Sequence, residues 1–381
     1  MYVLLIDIGS GSVGLALTLI TRGAAPVVQF AIRQELPLQK KPNASRLLYM
    51  TIKVLRALVL QYQIGGHPNP SEIHCYLSSH LAISQTRVIN LQFDEPRVVN
   101  RSLIDTIIDS ELNLFKAENR HQYKGQTVLI DNKLMSVKLN GYSISEIDSR
   151  RVGELELAVF FSMITIDIES EIRHAIVDSF HHANLKTHSF LFANFAVTRD
   201  TFKDIKDFVL MDIGGEISDL SIVRDGVLES SSSFPLGKNG LIRTLIRAAG
   251  DERQIIDSFL NIYNADQLSA DSKKLLELNL ALFGKDWTDQ LMSTMHSFSK
   301  HQRLPQNFYL LVDKDVAGVF LSYLSALDMS SVSILNKNPN LAAVTETDLR
   351  RFYDNKSETS GDVFLSIEAV FTNKMLDNPN F

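Results

Sequence analysis

The strongest constraint on what this chain can become is a duplication. "YVLLIDIGSGSVGLALTLI", residues 2 to 20, is an apolar run that ends in Asp-Ile-Gly, passes through small polar residues and returns as a second apolar run. "VLMDIGGEISDLSIVRDGVL", residues 209 to 228, repeats the plan about two hundred residues later. Each copy reads as a buried strand, a tight glycine turn and an antiparallel return. Repetition of a whole strand–turn–strand unit at this distance points to two related halves, hence to a two-lobed α/β protein. With 381 residues, 45% of them hydrophobic, the chain is long enough to bury a core in each lobe.

A hairpin with glycines at its tip can turn backbone N–H groups toward phosphate oxygens, because glycine permits close approach. An aspartate at the strand end can hold Mg²⁺ through water, since that cation takes oxygen ligands and keeps much of its hydration. The candidate phosphate-binding residues are therefore Asp7, Gly9, Ser10, Gly11 and Ser12 in the first copy, and Asp212, Gly214, Gly215, Ser218 and Asp219 in the second. Asp7 and Asp212 are the candidate Mg²⁺ ligands through water. They also fit a second reading, as strand-end residues that cap their turns.

Other chemistries find little support. The net charge is −6 and no dense Lys/Arg run occurs, so no nucleic-acid partner is expected. Cys75 is the only cysteine, which rules out an intramolecular disulfide or thiolate metal cluster and fits a reducing cytoplasm. The start "MYVLLIDIGS" lacks the basic region of a signal peptide, and Val13 to Ile20 is far short of the roughly 20 residues that span a bilayer. A cytoplasmic location is expected, with membrane association through a partner or a surface helix. No nucleophile motif of hydrolases is present. His174, His181 and His182 lack a carboxylate or cysteine at ligand spacing and read as solvated helix residues.

Between the hairpins, "VVQFAIRQEL" predicts a third strand, residues 46 to 63 a helix, and "EIHCYLSS" a further strand. From 84 to 172 the pattern becomes a compact mixed module: strand "QTRVINLQF", helix "RSLIDTIIDSELNLFKAE", then strands around Asn140-Gly141, a hairpin signal. Phe160, Phe161 and Met163 read as its core, with a partner-binding groove as the alternative. "KTHSFLFANFAV" predicts a strand and a short helix, 238 to 305 is largely helical, including "DERQIIDSFLNIY", and "FYLLVD" returns to strand. Ser230 to Ser233 reads as strand edge and loop, the stretch from Ser330 as loops around short elements, and Val363 to Met375 as a closing helix.

On "DIGSGS" at 7 to 12, "DIGGEISD" at 212 to 219 and the module at 84 to 172 with "VKLNGY", the chain resembles the actin-like ATPase superfamily. Within it, the resemblance is to the branch of the cell-division protein FtsA and the type IV pilus assembly protein PilM. The resemblance implies a duplicated, ribonuclease H-like two-lobed fold with a small inserted α+β subdomain of the SHS2 type. The implied division is a first lobe of 1–83, 173–205 and 345–381, a partner-binding insert of 84–172, and a second lobe of 206–344 whose helical part is 238–305. It implies ATP with Mg²⁺ as cofactors. It also implies a scaffold that docks a segment of an inner-membrane pilus platform protein or, in the division-type alternative, the tubulin-like division protein, with homo-oligomers or filaments.

Four departures weaken the enzymatic side of that resemblance. Gly14 stands where relatives carry a lysine, which removes a phosphate contact. Glu216 interrupts the second glycine motif, as a solvated turn residue or as a carboxylate repelling phosphate. Asp313 and Lys314 replace the bare glycines of the adenosine strand. Near "FANFAV" only Ala193 and Asn194 stand where a Glu or Gln would orient water. No catalytic residue is assigned, and at most a slow ATPase, or a scaffold that has lost nucleotide binding, is expected.

Overall fold

The computed structural model describes residues 1–119, 125–144, 146–147, 149–180, 184–249, 270–300, 302–357 and 361–378. The expected helix at "DERQIIDSFLNIY" and the pair His181 and His182 lie outside the described residues.

Two sheets share one plan. In the first, β1 (Tyr2–Ile8), β2 (Ser12–Leu19) and β3 (Val27–Glu35) form an antiparallel meander, and β4 (Glu72–Leu77) and β9 (Asn184–Ser189) extend it in parallel on the other side of β1. In the second, β10 (Phe208–Ile213), β11 (Ser218–Arg224) and β12 (Val227–Phe234) repeat the meander, with β13 (Asn307–Val312) and β14 (Asn340–Ala343) parallel beyond β10. The two-residue β15 (Asp354–Asn355) adds a parallel edge to β3. The parallel joins are made by helices: α1 (Ala44–Ile64), capped by Asn43, and α3 (Ile166–Val177) lie on the first sheet, α5 (Lys238–Ala249), α6 (Ala270–Ser299) and α7 (Ala317–Ala326) on the second.

The central strands show why they are almost continuously apolar. Along β1, Leu4, Ile6 and Ile8 pack outward against α1 and α3, while Val3 and Leu5 face a core shared with the second sheet. Along β10, Val209, Met211 and Ile213 face α5 and α6, while Phe208 and Leu210 face the shared core. A strand has period two, so Asp7 and Asp212 continue the inner rows of Leu5 and Leu210. Both aspartates therefore end on the faces that the lobes turn toward each other. The space between is filled by α4 (Phe190–Thr201) and α9 (Val363–Asp377), whose residues Leu365 to Thr372 are all buried.

A third sheet, in the order β5, β8, β6, β7, is built from β5 (Ala82–Val99), β6 (Thr127–Leu139), β7 (Tyr142–Ile144) and β8 (Arg150–Thr165), with α2 (Arg101–Glu118) packed on it. Asn140 and Gly141 adopt φ of 49° and 81°, as the tight β6–β7 turn requires. Phe161 and Met163 are core of this module, while Phe160 crosses to α4, its ring 4.9 Å from that of Phe192. Ser230 to Ser233 lie within the edge strand β12. The short elements expected among the loops after residue 330 include β14 and α8 (Glu346–Leu349). No helix among the described residues is long and apolar enough to cross a membrane.

Candidate functional site

The two hairpin tips are built alike and meet. Gly9 N–H donates to Ser12 O at 3.0 Å, and Gly214 N–H donates to Ile217 O at 2.9 Å, so each turn closes on its own backbone. Between the lobes, Glu216 N–H donates to Ser10 Oγ at 2.9 Å. Gly11 and Gly215 pass so closely that a Cβ on Gly215 would lie 2.3 Å from Gly11 Cα. These glycines are required for backbone contact between lobes as well as for turning.

Asp7 lies at the end of three residues abreast, opposite Gly14 in β2, which is opposite Arg33 in β3. Arg33 reaches across: its Nη2 donates to Asp7 Oδ2 at 2.7 Å, its Nη1 to Ser12 Oγ at 2.8 Å and its Nε to Asp362 Oδ2 at 2.5 Å. A Cβ on Gly14 would lie 2.7 Å from Nη2, so the bare glycine opens the path for the guanidinium. The charge expected to be missing at position 14 is supplied from the neighbouring strand. Burial raises the Asp7 carboxyl above its ordinary pKa despite Arg33. Behind it, Glu368 of α9 is fully buried; burial first and the nearby Asp7 second hold its carboxyl well above the usual range.

Among the described residues, no such cation pairs with the aspartate of the second tip. Opposite Asp212 stands Asp219, and Asp212 Oδ1 is buried without a hydrogen-bond partner. Burial, then the carboxylates of Asp219, Asp7 and Asp313, push Asp212 well above the ordinary carboxylate range. Asp219 accepts from Ser79 Oγ at 2.7 Å across the lobes, yet burial still raises it to about 7. Lys238, at the start of α5, donates to Asp313 Oδ2 at 2.8 Å and reaches Asp315 at 3.2 Å and, on the other lobe, Glu35 at 3.4 Å. Burial alone would lower its pKa, but these three carboxylates hold it above the ordinary lysine value.

Asp7, Gly9, Ser10, Gly11, Ser12, Asp212, Gly214, Gly215 and Asp219 thus line one cleft, with Arg33, Glu35, Ser79, Lys238 and Asp313 added by the fold. Ser218 is not part of it. Strand alternation turns it away from Asp219 into the second lobe, where its hydroxyl donates to Leu236 O at 2.6 Å and accepts from Trp287 Nε1 at 3.1 Å. Glu216 is neither solvated nor aimed at phosphate: it is buried and paired with Arg243 at 2.7 and 2.8 Å, with Asn239 Nδ2 donating at 2.9 Å. Asp313 faces Lys238, while Lys314 is exposed. Asn194 is buried, its side chain accepting from Thr198 Oγ1 at 3.1 Å. Sequence reasoning missed Arg33, Ser79 and Lys238. Arg33 stands in "VVQFAIRQEL" among Gln29, Gln34 and Glu35, so the strand's composition did not single it out.

The cleft encloses about 40 Å³, lined by five carboxylates, Asp7, Glu35, Asp212, Asp219 and Asp313, against Arg33 and Lys238. That is room for a few waters, so a triphosphate enters only if the lobes part. No group of three or more His, Cys, Asp or Glu among the described residues is placed to hold a metal directly. The orphaned Asp212 oxygen and the excess of carboxylates suit a hydrated divalent cation.

A second, larger groove of about 780 Å³ runs between β6 and α4. Leu134, Met135, Val137, Ile144, Phe192 and Ala196 give it apolar walls, and Arg101, Lys133 and Arg199 are its charged lining residues. Strand β7 pairs only with Val137 to Leu139, so at Leu134 to Ser136 the strand β6 has β8 on one side and no described strand on the other.

No family model and no curated protein sequence matches the chain. Among solved structures, a chain of the PilM-PilN type IV pilus biogenesis complex matches with a TM-score of 0.64 at 14% identity, over 98% of this chain and 97% of that one. The ethanolamine utilization protein EutJ from Carboxydothermus hydrogenoformans gives 0.45 at 11% identity, over 90% and 84%. A Bacteroides thetaiotaomicron protein with actin-like ATPase fold and unknown function gives 0.41 at 7%, over 97% and 95%. The duplicated sheets, the facing Asp-Ile-Gly hairpins and the first of these matches together show that the chain has a two-lobed actin-like fold, and its third sheet, between β4 and β9 in the chain, is a small inserted α+β module.

Proposed function

We propose that the protein is an actin-like scaffold that docks an extended segment of a membrane-protein partner in the groove between β6 and α4, and that it binds a magnesium nucleotide in the cleft between its hairpins. The observation that carries the docking is the β6 edge. On the side away from β8, Leu134 to Ser136 have no described strand beside them and border apolar walls, which suits a segment added as a strand with alternate side chains buried. The groove has cations and no carboxylate among its lining residues, so acidic residues at the segment's ends would be favoured. In this reading residues 84–172 are the partner-binding insert, and the likeness to the PilM-PilN complex makes an inner-membrane pilus platform protein the first partner to try.

Support for the nucleotide comes from the cleft. Asp212, with Asp7 across from it, would hold Mg²⁺ through water, and the tips at Gly9 to Ser12 and Gly214 to Gly215 would face the phosphates. Bound Mg²⁺ would neutralise phosphate charge among carboxylates that otherwise repel it. Ala193 and Asn194 supply no water-activating carboxylate or glutamine, and in this reading the nucleotide acts as a conformational ligand: it favours the open arrangement of lobes that can admit it.

The test is a fluorescence-anisotropy titration of synthetic peptides spanning the cytoplasmic segment of the platform protein from the same cell, against wild type and Ser136→Arg, a partly buried groove position, with thermal unfolding to confirm that the variant folds. Micromolar binding that folded Ser136→Arg abolishes supports the groove. Absence of binding at millimolar peptide, or binding indifferent to the plug, refutes it.

A further inference from the structure

We infer that Arg33 is the phosphate-binding cation of the cleft, and that Asp362, the N-cap of α9, competes with phosphate for it. The inference rests on the nucleotide reading above. Arg33 is held only by acceptors, Asp7, Ser12 and Asp362, and lies against the Phe364 ring at 5.3 Å. Its planar fork, carried past the bare Gly14 into the first tip, has the geometry that pairs with two oxygens of a phosphate.

The comparison with Lys238 decides which cation moves. Lys238 is shared by Asp313, Asp315 and Glu35, so drawing it away strands three carboxylates in a cleft already rich in negative charge. Drawing Arg33 toward phosphate releases Asp362, and that carboxylate keeps a place to go. Asp362 Oδ1, which also accepts from Arg33 Nη2 at 3.2 Å, already accepts from Phe364 N at 3.0 Å and Leu365 N at 3.1 Å, where the helix N-terminus favours negative charge. The exchange leaves Asp7 partnered, because a guanidinium has donors enough for a carboxylate and a phosphate together. The start of α9 is therefore a built-in antagonist: its cap residue occupies the cation until a phosphate arrives.

The variant Asp362→Asn separates these roles, since asparagine caps a helix about as well as aspartate but carries no charge. Calorimetric titrations of the full chain with Mg²⁺-ATP and with Mg²⁺-pyrophosphate, beside thermal unfolding, read the outcome. Asp362→Asn is expected to tighten both ligands by the same factor, about three- to tenfold, and Arg33→Gln to weaken both by at least about tenfold, with Arg33→Lys between. Equal factors for ATP and pyrophosphate locate the effect at phosphate. If the ligands bind wild type but Asp362→Asn, folded as wild type, binds them no better, Arg33 is a structural strut and the inference falls alone. If Arg33→Gln fails to fold, Asp362→Asn decides. If neither ligand binds wild type or Asp362→Asn at millimolar concentration, the nucleotide reading fails and takes the inference with it.

Discussion

The two Asp-Ile-Gly hairpins use one backbone device and opposite electrostatics. Each closes its turn with the same N–H to carbonyl bond, at 3.0 Å in the first and 2.9 Å in the second, and each projects its aspartate from the inner row of its strand. The difference lies in what the return strand puts opposite. Gly14 faces Asp7 and lets Arg33 through; Asp219 faces Asp212 and adds a second buried carboxyl. The first hairpin is thus neutralised from within, and the second waits for a cation or a proton. Duplication preserves main-chain geometry, while a single facing residue decides whether a copy can sustain its own charge.

The largest expected effect tests where the second tip hides its other charge. Arg243→Met leaves Glu216 buried and unpaired, and chemical denaturation should show a loss of about 3–5 kcal/mol. Adding Glu216→Met should restore most of it, because a buried ion pair is usually replaceable by apolar volume. A double variant as unstable as the single one would mean that the pair holds the tip in register. The next effect sets the two glycine contacts against each other. Gly215→Ala drives a Cβ into backbone and should cost about 1–3 kcal/mol, whereas Gly14→Ala meets the movable end of Arg33 and should cost less than about 1 kcal/mol while weakening the Asp7 pair. Equal costs would break the distinction between a rigid and a yielding neighbour.

Proton linkage sharpens the comparison further. Asp219 titrates near 7 when folded, against about 3.9 in an unfolded chain. The folded state then binds more protons between those values, so this group's contribution falls as pH rises from about 4 to about 7 and is level above. Discounted for its partial exposure, the loss is on the order of 1 kcal/mol. Thermal unfolding should show a higher Tm at pH 5 than at pH 8, a gap narrowed by Asp219→Asn, and Mg²⁺ should raise Tm more at pH 8 than at pH 5. A pH-independent Tm with no response to Mg²⁺ would mean that the second hairpin tolerates its charges unaided.

Periodicity and repetition made the frame readable before any coordinates. A strand of alternating inner and outer rows ending in aspartate predicts where Asp7 and Asp212 sit, because local geometry settles it. Arg33 was not readable in the same way: it reaches the cleft only through the pairing of β3 with β2, a contact that no local window of sequence contains. Glu216 was misread for a related reason, since its partner Arg243 lies 27 positions on, in a helix whose place is set by packing. Ser218 shows the converse error. It was assigned by its place in a motif, although the alternation that exposes Asp219 to the cleft must turn Ser218 away.

The smallest effect concerns the bond by which the neutralised lobe helps the charged one. Ser79, just after β4, donates to Asp219 Oδ2 at 2.7 Å and is the hydrogen-bond donor that Asp219 has from the first lobe. Ser79→Ala should cost about 1 kcal/mol at pH 8, where the carboxylate needs the donor, and almost nothing at pH 5, where Asp219 is protonated and its need is met by the proton. The apparent pKa read from the pH dependence of stability should rise at the same time, because a donor that favours the charged form is gone. A cost equal at both pH values would assign the bond to packing between lobes; a cost confined to high pH would show that the second hairpin borrows from the first lobe what its own return strand does not supply.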